Sequence, residues 1–99
     1  MVQDGEEIQM TPEEAIDYIF NKVNVGDTLE LSYNRIYAPG EVISIVEPDE
    51  ETGEGVRVNL ELNGKMLNDC VEVDLNNIKD ELIEVHHIHD GEEIVIEIL

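Results

Sequence analysis

All three histidines of this 99-residue chain fall within "HHIHDGEE", His86 to Glu93, beside a glycine and three carboxylates. Imidazole and carboxylate are zinc ligands, so metal binding is the first chemistry to weigh. On a strand, alternate side chains share a face, which groups His87 with His89 and turns His86 away. A two-residue turn at Asp90 and Gly91 would set Glu92 opposite His89 and Ile94 opposite His87. His87, His89 and Glu92 then form a three-ligand set with an open position. The set is short, and the sequence points to no partner residue that would fix either ring. A tight site is therefore not expected, and histidines that simply titrate on an exposed edge are the plainer reading. The string "DGEEI" also stands at Asp4 to Ile8, with no histidine beside it. A repeated turn-and-strand signal accounts for both copies.

Other reactive residue types are sparse. "EPDEETGEG" places Asp49, Glu50, Glu51 and Glu54 in one loop that could hold calcium weakly. It lacks the alternating ligands and distal Glu of an EF-hand, so a solvated loop tip is the simpler account. The single cysteine, Cys70, sits in "NDCVEV" with no basic neighbour to activate it, and reads as a small buried hydrophobe. Phosphate-cradling glycine loops, serine-triad signatures and CxxC pairs are absent. The residues expected to bind a partner are Tyr33, Arg35 and Tyr37 in "SYNRIYAP", since aromatic and arginine side chains are enriched where proteins meet. Against this, Tyr33 has the spacing of a core residue beside Leu29 and Leu31.

Charge narrows the partners. Twenty-five acidic residues against five basic ones give a formal net charge of −20. Lys22, Arg35, Arg57, Lys65 and Lys79 are too scattered to build a basic stripe, so nucleic acid is not an expected ligand. Anionic membrane surfaces are disfavoured too, and no apolar stretch is long enough to span a bilayer. With no signal-peptide pattern and one cysteine, the expectation is a cytoplasmic protein, a monomer or weak homodimer, without a cofactor. The acidity serves solubility, and beyond that suits a basic protein partner, hard divalent cations or mimicry of nucleic-acid charge.

These residues need elements to position them. "TPEEAIDYIFNKV" predicts a helix over 11–23: Thr11 caps it, Glu14 completes a capping box and Pro12 occupies the first turn. Ala15, Ile16, Ile19, Phe20 and Val23 mark its apolar face. Everything after Gly26 has strand character. "TLELSY" alternates Leu29, Leu31 and Tyr33 against polar residues, and a turn at Pro39 and Gly40 leads into a second strand. "VRVNLEL" and "CVEVDL" flank a hairpin turn at Asn63 and Gly64, "NNIKDE" suits one tight helical turn, and "LIEVHHI" and "EEIVIEIL" follow. Aromatics form only 4% of the chain, so the core is aliphatic.

The order of "VGDTLELSYNRIYAPGEVISI", a charged hairpin, "VRVNLEL" and "VEVDLNNI" resembles the SH3-like barrels of Tudor and KOW type over Val25 to Val85. That resemblance implies an α+β fold in one domain, residues 1–99. Its N-terminal helix (11–23) would be followed by a small, bent antiparallel barrel of five to six strands (27–99). It also implies that Tyr33 and Tyr37 stand where Tudor domains place cage aromatics for methylated basic side chains. The whole chain resembles small acidic uncharacterised proteins of methanogenic archaea. The function expected is a non-enzymatic protein-binding module or adaptor for a basic protein. The alternatives are a divalent-metal-binding protein and an acidic mimic of nucleic-acid charge.

Overall fold

The structure is a computed structural model and describes residues 6–53, 55–62 and 70–99. Strand β1 (Glu6–Met10) leads into helix α1 (Pro12–Lys22). Strands β2 (Thr28–Tyr33), β3 (Ile36–Val46), β4 (Arg57–Leu62) and β5 (Cys70–Asp74) follow, then a single 3₁₀ turn (Lys79–Glu81), β6 (Leu82–His89) and β7 (Glu92–Ile98). The helix begins where its sequence says it should. Thr11 Oγ1 accepts from the Glu14 amide at 3.2 Å, and Glu14 Oε1 accepts from the Thr11 amide at 2.9 Å. Its apolar face is narrower than the spacing suggests: Ala15, Ile19 and Val23 are buried, Ile16 only in part, and Phe20 is exposed.

The strands make one seven-stranded sheet in the order β1-β7-β6-β2-β3-β4-β5. This corrects the expected barrel. A barrel needs its first and last strands to pair, but here β1 and β5 are the two edges. The sheet is mixed because β1 lies parallel to β7, with Glu6 opposite Ile94 and Ile8 opposite Ile96. The two "EEI" strings thus lie on neighbouring strands, offset by two residues. Helix α1 packs against β1, β7 and the 3₁₀ turn, at the β1 end of the sheet, and adds Ala15 and Ile19 to the core.

One apolar cluster joins Ala15 and Ile19 of α1 to Leu29, Leu31, Val42, Val58, Leu60, Val73, Val85 and Ile96. Their alternation fixes which face each strand buries. The turn expected at Pro39 and Gly40 is instead made by Asn34 and Arg35, whose φ values of 43° and 66° lie in the left-handed region. Pro39 and Gly40 run within β3, opposite Glu30 and Leu29. A β-carbon on Gly40 would stand 2.5 Å from the Glu61 carbonyl oxygen, so glycine is needed for β4 to approach. The Asp90–Gly91 turn is as expected, with φ of 53° and 81°, and sets His89 opposite Glu92 and His87 opposite Ile94. The turn expected at Asn63 and Gly64 lies outside the described residues.

Candidate functional site

His87 does not lie on an exposed edge. β6 is flanked by β7 and β2, and His87, on the core face opposite Leu29, is 5% exposed. The residue that receives it is Asp27, itself 6% exposed. After α1, Gly26 adopts φ 99° and turns the chain, while the Asn24 amide donates to Asp27 Oδ2 at 2.9 Å. Two backbone bonds, Gly26 N–H to Val42 O and Val42 N–H to Asp27 O, strap this turn to β3. The carboxylate is thereby aimed at the end of β6. His87 Nε2 lies 2.7 Å from Asp27 Oδ2, and His89 Nδ1 lies 2.6 Å from Asp27 Oδ1. On its other side His87 Nδ1 meets the Tyr18 hydroxyl at 2.7 Å.

One protonation pattern satisfies this chain with His87 neutral. The Tyr18 hydroxyl donates to Nδ1, and Nε2–H donates to Asp27. Burial pushes the Asp27 carboxyl up, but hydrogen bonds from His89, His87 and the Asn24 amide outweigh it and hold the carboxyl below its usual range. The hydrogen bond to Asp27, with the charges of Asp27 and Asp90, raises His89 above the usual imidazole value. Burial, with the charges of Asp27 and Glu6, raises the Tyr18 phenol. No buried side-chain nitrogen or oxygen among the described residues lacks a partner.

Asp27 is the partner that sequence reasoning missed. Its contact with His87 spans 60 positions, and "VGDT" carries only the mark of a turn. The cluster changes the expected ligand set. Both nitrogens of His87 are engaged, so coordination through this ring would require opening a buried bond. Glu92 faces His89 across the hairpin and acts on it through its charge. No group of three or more His, Cys, Asp or Glu among the described residues is arranged to hold a metal ion. The arrangement orients His89 by Nδ1, ties α1 to β6 through Tyr18, and fastens the turn at Asp27 to both.

The other expected residues are dispersed. Tyr33 packs against the core, whereas Tyr37 is 60% exposed on the opposite face and donates to Glu30 at 2.8 Å. The two rings therefore cannot share a cage, and Arg35 stands apart in the turn between them. Asp49 Oδ1 accepts from the Glu51 and Thr52 amides, which commits it to its own turn, and Glu50 and Glu51 are exposed. Glu54 lies outside the described residues. Cys70 is exposed on edge strand β5, not buried.

The face of the sheet away from α1 carries the charge. Strand register lays three rows across it. The first is Gln9, Glu97, Glu84, Ser32 and Tyr37; the second is Glu7, Val95, His86, Glu30 and Pro39. The third is Glu93, Ile88, Thr28, Glu41, Glu61 and Cys70. Seven of these are glutamates and none is Lys or Arg. His86 is the one basic group in the rows. Its Nδ1 lies 2.7 Å from Glu93 and 3.8 Å from Glu30, and its Nε2 lies 3.2 Å from Glu84. Partial burial pulls its pKa down, but hydrogen bonds and charges from Glu93 and Glu84 outweigh that and raise it.

These features define a small, mostly β protein with an open mixed sheet, a helix locked to one face and an acidic surface on the other. The chain belongs to a family described as uncharacterised proteins conserved in archaea, DUF2097, whose family model matches residues 6–97. No curated protein and no solved structure matches it. No helix among the described residues is long and apolar enough to cross a membrane.

Proposed function

We propose that the protein is a binding module that docks a basic protein partner on the outer face of its sheet. The observation that carries this reading is the set of three rows, which α1 leaves uncovered and which hold seven glutamates and no Lys or Arg, Arg57 standing on the same face beyond them along β4. Surface carboxylates commonly do no more than keep a protein soluble. Here they are gathered on a rigid sheet, where like charges in adjacent strands repel and a basic partner would relieve that repulsion. Complementary charge gives such docking its speed and selectivity, and makes it sensitive to salt. The α1–Asp27–His87 lock serves the other face, by holding the helix over the core.

Capture from native lysate tests the reading. The wild-type protein is expected to retain basic proteins that elute as salt rises. A variant carrying Glu30→Gln, Glu41→Gln and Glu61→Gln is expected to lose them. Retention of only neutral or acidic proteins, or equal capture by the variant, would refute it.

A further inference from the structure

At one end of the acidic face, where β6 begins and β1 and β7 end, lies a hollow of about 320 Å³. It is lined by Gln9, Ile83, Glu84, Glu97, Ile98 and Leu99. We infer that this hollow receives an arginine side chain of the partner, with its guanidinium between Glu84 and Glu97 and its aliphatic stem against Ile83 and Leu99. The inference rests on the docking reading above and adds to it a site and a ligand class.

Three observations converge. Glu84 and Glu97 are directly opposite in the β6–β7 ladder, an arrangement that costs stability unless a cation lies between them. Each is held by a neighbour: Glu84 Oε1 lies 3.2 Å from His86 Nε2, and Glu97 Oε1 accepts from Gln9 Nε2 at 3.3 Å. The carboxylates are thus placed rather than free to swing apart. Adjacent strands stand about 4.7–4.9 Å apart, a spacing that the two edges of one planar guanidinium can bridge.

The walls decide between an arginine and a metal ion. β6 shifts register against β2 here, pairing Leu82 with Tyr33 and Glu84 with Ser32, so Ile83 has no partner in β2. Ile83 is 58% exposed and Leu99 70% exposed, two large apolar side chains left bare on a highly charged molecule. A hydrated divalent ion gains nothing from such walls, whereas the methylene stem of arginine packs on them. The volume sits at the lower end of small-ligand pockets, roughly 300–1,000 Å³, more than a bare ion needs.

The test is an amide NMR titration of the full chain with an acetylated, amidated Leu-Arg-Leu peptide. The same peptide with citrulline, which keeps the shape and removes the charge, is the control, and magnesium chloride is titrated separately. Saturable shifts are expected at Gln9, Ile83, Glu84, Glu97 and Leu99 with the arginine peptide and not with citrulline. Glu97→Gln and Ile83→Ser are each expected to weaken binding about fivefold or more. Both positions are exposed, and retained spectral dispersion confirms that the variants fold. Equal binding of the citrulline peptide, no loss in Ile83→Ser, or the same shifts with magnesium alone would overturn the inference. Shifts confined to the Glu30, Glu41 and Glu61 region would overturn it while leaving the docking reading standing.

Discussion

At the scale of single residues, the cluster of Tyr18, His87, Asp27 and His89 is a structural lock with one titrating end. Removing the Tyr18 hydroxyl leaves a buried imidazole nitrogen without its donor, so Tyr18→Phe is expected to lower stability by about 1–2 kcal/mol in urea denaturation. An unchanged midpoint would mean that the hydroxyl does not hold the helix. The histidines also set a pH dependence. The folded pKa values of His86 and His89 are raised above 6.5, so their stabilisation is complete below 6.5 and fades as pH rises through the folded values. Asp27 is lowered below 3.8, so its contribution is present above 3.8 and lost as pH falls through the folded value. Stability is therefore expected to be greatest between those limits and to decline from pH 6 to 8.5, where the carboxylates stay ionised throughout. A thermal melt series that is flat or rising over that interval would contradict the assignment, and the double variant His86→Gln, His89→Gln should flatten it. Strand alternation made the shared face of His87 and His89 legible. It did not reveal that this face is the core, because polar imidazoles there imitate a solvent face until Asp27 is known.

At the scale of elements, local signals were readable wherever caps and turn residues carried them. The Thr11–Glu14 box marks the start of α1, and Thr11→Ala is expected to cost about 1 kcal/mol. The Asp90–Gly91 hairpin and the 3₁₀ turn at Lys79–Glu81 were legible for the same reason. The β2–β3 turn was not, since Asn34 and Arg35 bring no glycine to a pair of positive φ values, while Pro39 and Gly40 nearby imitate a turn. Gly40 serves packing instead. Gly40→Ala would press a methyl on the β4 backbone and is expected to destabilise by about 1–3 kcal/mol. A neutral Gly40→Ala in chemical denaturation would show that the strands can separate without loss. β1 stood outside the expected helix-then-barrel order, although "DGEEI" carried its signal.

At the scale of the whole molecule, composition and charge were legible and closure of the sheet was not. Strand count and alternation are shared by barrels and open sheets, and the difference lies in which edges meet. Here β7 pairs with β1, and the helix packs on the core face at that end of the sheet. The outcome is a sheet with one face uncovered by the helix, and that face is the proposed docking surface. The most direct test is fluorescence anisotropy of labelled decalysine with two variants of equal charge. One carries Glu30→Gln, Glu41→Gln and Glu61→Gln on the sheet face. The other carries Asp17→Asn, Glu50→Gln and Glu51→Gln on the helix and loop, and each shifts the net charge from −20 to −17 (−20 + 3). The face variant is expected to bind several-fold more weakly than the loop variant at the same salt concentration; equal weakening in the two would contradict a docking face and leave only diffuse charge.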